Sequence, residues 1–125
     1  MQAYLIVFLG AGIGGALRHG VNVVALRLLG SDFPFGTLTV NVVGSLCIGL
    51  LTGIFALKSD PGLNWRLFLI TGVLGGFTTF STFSLDAALL YERGQLALAA
   101  VYIAGSVAAA LGGLFAGLFI VRQVV

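Results

Sequence analysis

Charged side chains are almost missing from this sequence. Only 8% of its 125 residues are Asp, Glu, Lys or Arg, while 59% are hydrophobic. A soluble domain carries about a quarter charged residues because its surface faces water, and a disordered chain is poor in apolar residues, so both classes are excluded. The six Lys and Arg residues are scattered, which excludes a nucleic-acid partner, because phosphate binding needs clustered positive charge. We expect one domain, residues 1–125, embedded in a lipid bilayer.

Cysteine and the residues of catalytic and metal sites are equally scarce. Cys47 is the only cysteine, so one chain can form neither a disulfide framework nor a thiolate metal site. His19 has no second His, Cys or carboxylate at ligand spacing. The sequence shows no activated nucleophile and no paired acid and base. We therefore expect a protein that is not an enzyme.

Long apolar runs are what the sequence has instead. A spanning helix needs ~20 mainly apolar residues, and division of the chain at its charges leaves such runs at about residues 3–29, 35–57, 66–90 and 95–121. The short segments between them contain the Gly, Pro, Asp or Ser residues that end helices. The sequence therefore predicts an all-α membrane protein with four transmembrane helices.

Glycine pairs recur within these runs at a spacing of four residues. That spacing puts both glycines on one helix face and lets two backbones approach closely. The pairs are Gly10 and Gly14, Gly49 and Gly53, Gly72 and Gly76, and Gly113 and Gly117. They predict close helix packing rather than a large internal cavity.

The few charges barely orient the chain. Four spans would place Lys58, Arg66 and Arg122 on one side of the membrane, and Arg27 and Arg93 on the other. Cytoplasmic loops normally hold a clear excess of Lys and Arg. We infer that the chain inserts in both orientations and forms a dual-topology antiparallel homodimer. The alternative is that a weak bias still selects one orientation.

Polar residues lie on one face of the second predicted helix. Thr37, Asn41 and Ser45 are each four residues apart and so share a face. Polar groups at membrane depth are unfavourable unless they face a partner or a water-filled path. This face indicates either interhelical hydrogen bonds or a pathway for a polar solute.

The third predicted helix contains a segment with poor helix propensity. Gly75 and Gly76 are followed closely by Thr78 and Thr79, which predicts a helix break near residues 75–79. Backbone carbonyls exposed there could coordinate a small cation such as Na+. The alternative is a simple kink whose backbone groups are satisfied by hydroxyls.

Phenylalanines recur every three residues after this segment, at Phe77, Phe80 and Phe83. The edge of a phenylalanine ring carries partial positive charge and can face an anion, although such a stripe can also serve packing alone. Asp86 is the sole acidic residue within a span, and Arg18 would favour anions beside a pathway. The lack of a carboxylate in the middle of the first two helices argues against a proton-coupled cation exporter.

Two segments carry a resemblance to a known family. They are Gly36-Thr37-Leu-Thr-Val-Asn41 and Gly75-Gly76-Phe-Thr78-Thr-Phe80-Ser81-Thr82-Phe83-Ser84. Together with Arg18 late in the first helix, they resemble the Fluc fluoride channels of the CrcB family, and the resemblance covers nearly the whole chain. It implies an antiparallel homodimer with two pores. It also implies a structural, untransported Na+ held by the backbone carbonyls of Gly75 and Thr78.

The same resemblance implies roles for residues along an ion pathway. Phe80 and Phe83 would form a phenylalanine box, and Asn41 would be an amide donor. The polar track would be formed or bordered by Thr37, Ser81, Thr82 and Ser84, with Tyr102 and Ser106 from the fourth helix. Two positions depart from the pattern: Asp86 stands where many relatives have Glu, and Ala110 stands where some have Ser.

The function that the resemblance implies is passive, fluoride-selective efflux that lowers cytoplasmic fluoride. We expect a multi-pass protein of the bacterial plasma (inner) membrane whose partners are a second copy of itself, fluoride ion and the lipid bilayer. Two alternatives remain. One is a small multidrug-resistance-like dual-topology transporter, and the other is a membrane scaffold that conducts nothing.

Overall fold

The computed structural model describes residues 1–124, and Val125, the last residue of the predicted domain, lies outside them. We number the helices α1 (Gln2–Leu29), α2 (Phe35–Leu57), α3 (residues 63–77), α4 (Phe80–Glu92) and α5 (Leu96–Val124). Four segments within residues 1–124 are long and apolar enough to cross a membrane, with α3 and α4 together forming the third, Leu63–Glu92. The predicted all-helical architecture with four spans is confirmed.

The helix ends lie close to their predicted positions. Gly30 and Gly94 have positive φ angles of 79° and 80°, a conformation that glycine adopts without strain. Gly30 directly follows α1, and Gly94 follows α4 after one intervening residue. The third span is longer than predicted at both ends, and α5 continues beyond residue 121 through Arg122. Long charged side chains at helix ends can reach the headgroup region, so a charge does not mark the end of a membrane helix.

The glycine pairs form two helix interfaces, which we call the glycine interfaces. In the first, between α1 and α3, a Cβ built on Gly10 would lie 2.9 Å from the Cα atom of Gly72. In the second, between α2 and α5, a Cβ built on Gly117 would lie 2.6 Å from the carbonyl oxygen of Leu46. Backbone therefore packs directly on backbone in both interfaces, which confirms the packing predicted from the glycine spacing.

The helix α3 is irregular along most of its length. It begins with one α-helical turn, Leu63–Arg66, continues as a π-helix over Leu67–Leu74 and returns to α-helix over Gly75–Phe77. The amide of Gly75 donates to the carbonyl of Ile70, five residues back, as a π-helix requires. This π-helical segment was not predicted from the sequence.

The break between α3 and α4 is narrower than predicted. Only Thr78 (φ −85°, ψ 158°) and Thr79 (φ −155°, ψ 120°) are extended, whereas Gly75 and Gly76 remain helical. A Cβ built on Gly76 would lie 2.5 Å from the carbonyl oxygen of Ala11, so Gly76 serves close packing against α1. β-branched threonines tolerate extended backbone well, and the break falls on them.

Candidate functional site

Side chains satisfy the backbone of the break. Asn41 Oδ1 accepts a hydrogen bond from the Thr79 amide at 2.8 Å, and Asn41 Nδ2 donates to the Thr79 carbonyl at 3.0 Å. The hydroxyl oxygen of Thr79 in turn accepts from the Thr82 amide at 3.2 Å and caps the start of α4. The break is therefore an ordered feature, held from α2 by one carboxamide and from within by a threonine cap.

These side-chain bonds remove the helical donors from two of the backbone carbonyls at the break. In a continuous α-helix the Thr79 amide would bond to the carbonyl of Gly75, and the Thr82 amide to that of Thr78. Both amides bond to side chains instead. None of the backbone hydrogen bonds that lie outside regular helix in residues 1–124 ends on either carbonyl. Gly75 and Thr78 are the two residues predicted to offer carbonyls to a cation.

A cavity of about 240 Å³, which we call the inner cavity, lies beside the break. Its lining consists of Asn41, Ser45, Thr78, Thr79, Phe80, Phe83, Ser106, Val107 and Ala110. The structure thus brings together four of the predicted pathway residues, which are an amide, a hydroxyl and two aromatic rings. No residue in the described part of the chain brings a charged group to this lining. The inner cavity therefore offers polar donors without fixed charge.

The two phenylalanines of the inner cavity are placed differently. Their ring centroids are 5.5 Å apart, but Phe83 is 9% exposed whereas Phe80 is 77% exposed. Phe83 also packs against the ring of Tyr102, with 5.2 Å between centroids. Phe83 is therefore part of the core of the chain, and Phe80 projects from a face that this single chain leaves open.

Ser106 is the most unusual polar residue of the inner cavity. It is 5% exposed, and its hydroxyl has no hydrogen-bond partner within residues 1–124. A buried hydroxyl without a partner is unfavourable. Any partner for this hydroxyl would come from outside the described residues, and Ser106 lines the inner cavity.

Two other predicted hydroxyls do not line the inner cavity. Ser84 is exposed and donates to the carbonyl of Phe80 at 3.0 Å. The hydroxyl of Ser81, also exposed, lies 3.3 Å from that of Thr79. The structure therefore places Ser81 beside the break and Ser84 about one turn after the start of α4.

A second, charged cavity of about 370 Å³ lies between the end of α1, the following loop, the start of α2 and the middle of α4. We call it the outer vestibule. Its polar and charged lining residues are His19, Asn22, Ser31, Asp32, Thr37, Thr82, Asp86 and Arg93. It brings Thr37 and Thr82 together, away from the inner cavity.

Tyr102 lies between the two cavities. Its side chain is 1% exposed, and its hydroxyl donates to Asp86 Oδ2 at 3.1 Å. The ring packs on Phe83, which lines the inner cavity, while Asp86 lines the outer vestibule. One aromatic side chain thus contacts a lining residue of each cavity.

The prediction of site residues omitted Ser45 and Asp86. Ser45 lines the inner cavity and could have been included, since it continues the face of Thr37 and Asn41. The bond from Tyr102 to Asp86 joins two helices across sixteen positions. No spacing within a single helix indicates such a pair.

Comparisons with known proteins agree on one family. The sequence model described as "CrcB-like protein, Camphor Resistance (CrcB)" matches residues 5–118. A protein of Methylobacterium nodulans named "Fluoride-specific ion channel FluC" is 62% identical over 119 residues, which cover 95% of each chain. Proteins with the same name from Rhodopseudomonas palustris and Granulibacter bethesdensis are 58% and 54% identical. Those alignments cover 98% and 100% of this chain, and 99% and 98% of the relatives.

Proposed function

The chain belongs to the CrcB family, and from this membership we propose that it is a fluoride-specific ion channel rather than an enzyme. In this proposal F− leaves the cell passively, down its gradient, and cytoplasmic fluoride falls. Its spans make it a multi-pass membrane protein, and we place it in the bacterial inner membrane.

The observation that carries the proposal is the lining of the inner cavity. Fluoride is small and strongly hydrated, so a pore must replace its water with closely spaced donors. Asn41 and the unpartnered hydroxyl of Ser106 supply such donors, and Phe83 supplies a ring edge. The lining carries no fixed positive charge that would hold the anion, so an ion that enters can also leave.

We propose that the working unit is an antiparallel homodimer with dual topology. The nearly equal division of Lys and Arg between the two sides supports this, as does the exposure of Phe80 beside the inner cavity. A large aromatic ring at the edge of a polar cavity would be covered by a second copy. One chain with little interior would in this way gain a closed pathway.

We also propose a structural Na+ at the break, which is not transported. The carbonyls of Gly75 and Thr78 fit it, because both lack their helical donors and unwound carbonyls at membrane depth suit Na+. Two carbonyls are few for one cation, so a symmetry-related copy would supply a second pair. When bound, the ion neutralises carbonyl dipoles that would otherwise repel each other.

Ion efflux from proteoliposomes tests the function. We expect F− efflux that greatly exceeds Cl− efflux, measured at neutral pH beside protein-free liposomes that report leakage of HF. Comparable rates for the two anions would refute selectivity, and transport of organic cations without F− would favour the multidrug-like alternative. In the membranes of the expressing cells, before any reconstitution, a cysteine replacing Ser59 in a Cys47→Ala chain should be labelled from both faces. Labelling from one face would refute dual topology.

A further inference from the structure

We propose that Asn41 is a positioning residue that holds the helix break open, because its carboxamide replaces helical backbone as the partner of Thr79. This role is additional to any contact between Asn41 and an anion. The consequences for ion flux rest on the proposed function, but the backbone role does not.

The geometry of the pair is that of one peptide group facing another. Asn41 Oδ1 accepts from the Thr79 amide at 2.8 Å while Nδ2 donates to the Thr79 carbonyl at 3.0 Å. Both polar groups of one extended residue are thus satisfied by one side chain that lies 38 positions away. Nδ2 carries two hydrogens, so one remains for the inner cavity.

The packing of α2 brings the carboxamide to the break. Gly44, almost one helical turn after Asn41, lies against the methyl group of Thr78, and a Cβ at that position would overlap it. Val40 next to Asn41 is fully buried. α2 therefore packs directly on the break at Gly44, and Asn41 supplies the polar contact there.

The consequence of losing this contact follows from the membrane environment. A backbone group without a partner in lipid is unfavourable by several kcal/mol. Without Oδ1, the Thr79 amide would find its nearest regular acceptor in the carbonyl of Gly75, four residues back. That bond would extend α3 through the break and occupy one of the two carbonyls proposed to face a cation.

Backbone 13C chemical shifts of Thr78 and Thr79 test the inference directly. The native protein should give extended values at both residues. Asn41→Leu, which removes both bonds, should move them to helical or averaged values. Asn41→Asp loses the donor to the Thr79 carbonyl but keeps an acceptor for the Thr79 amide. That amide bond alone withholds the donor from the carbonyl of Gly75, so Thr79 should remain extended. Thr39→Val serves as the control, because Thr39 is exposed and its hydroxyl bonds only within α2, to the carbonyl of Phe35.

Fluoride efflux from the same variants separates positioning from conduction. We expect both Asn41 variants to lose at least tenfold in F− flux. Asn41→Leu should lose flux together with the extended backbone of the break. Asn41→Asp should keep that extended backbone and lose flux because the carboxylate repels anions. Thr39→Val should keep both properties. Extended chemical shifts that persist in Asn41→Leu would overturn the inference, and so would helical chemical shifts in Asn41→Asp. If Asn41→Leu does not fold, the chemical shifts of Asn41→Asp decide the matter. A native protein that passes no F− yet shows the expected shifts would refute the proposed function alone.

Discussion

The glycine interfaces and the helix break satisfy the backbone in opposite ways. In the glycine interfaces the helices keep their internal hydrogen bonds, and the absence of side chains lets Gly10 approach Gly72 and Gly117 approach Leu46. At the break the helical bonds from the Thr79 and Thr82 amides are absent, and Asn41 and Thr79 supply replacements from their side chains. Close packing and backbone exposure are thus assigned to separate regions.

This difference shows which region of the protein can bind a solute. A sealed helix pair has no room for a solute and no free polar group to offer. The break, in contrast, offers carbonyls without helical donors, and beside it are a carboxamide and an unpartnered hydroxyl. The glycine interfaces hold α1 against α3 and α2 against α5, so that the break is kept between rigid elements.

The largest expected effect comes from adding carbon to a glycine interface. A Cβ built on Gly14 would overlap the carbonyl oxygen of Val73, which is backbone and cannot turn aside. Overpacking of this kind destabilises by ~1–3 kcal/mol and occasionally more, so we expect Gly14→Val to lose about 3 kcal/mol in free energy of unfolding, measured in detergent by denaturant titration.

Gly12→Val is the matched control for that variant. Gly12 lies on the same helix two residues earlier, but a Cβ there would meet nothing within 4 Å. The loss in free energy of unfolding for Gly12→Val should therefore be small. Equal losses for the two variants would show that the cost arises from helix propensity and not from contact between α1 and α3.

Sequence patterns revealed the glycine interfaces better than the break. A spacing of four residues is a local signal, and all four glycine pairs pack against a neighbouring helix as expected. The exact position of the break depends on tertiary contacts. Gly76 is helical and packs on Ala11, and the extended Thr79 is bonded to Asn41 of α2. Neither contact is encoded in the third helix alone.

The site residues also differ in whether their positions could be predicted from the sequence. The polar face of α2 predicted Asn41, and the structure places it in the inner cavity. The separation of Thr37 and Thr82 into the outer vestibule could not be predicted, because it depends on how the loop after α1 folds over the start of α2. The roles of these residues in ion conduction remain predictions.

A smaller effect is expected where a side-chain hydrogen bond joins two helices. Tyr102→Phe removes the bond from the tyrosine hydroxyl to Asp86 Oδ2, which is 3.1 Å long and partly buried. Side-chain hydrogen bonds between membrane helices contribute ~0.6 kcal/mol on average and at most ~1.7 kcal/mol, so we expect a loss of about 1 kcal/mol in the same unfolding assay. Tyr91→Phe is the control, since Tyr91 is 66% exposed at the end of α4. A loss in Tyr91→Phe as large as that in Tyr102→Phe would show that Asp86 is not the stabilising partner.

The smallest expected effect on stability is also the one that best separates a site from a packing contact. Ser106→Ala removes a buried hydroxyl that bonds to nothing within residues 1–124, so no hydrogen bond is lost. The free energy of unfolding should stay the same or rise by about 1 kcal/mol, whereas F− efflux should fall because the anion loses a donor in the inner cavity. Ser59→Ala, in the exposed loop after α2, should change neither quantity. A stability loss in Ser106→Ala with unchanged efflux would mean that Ser106 serves packing, as the glycine interfaces do, and would remove it from the pathway.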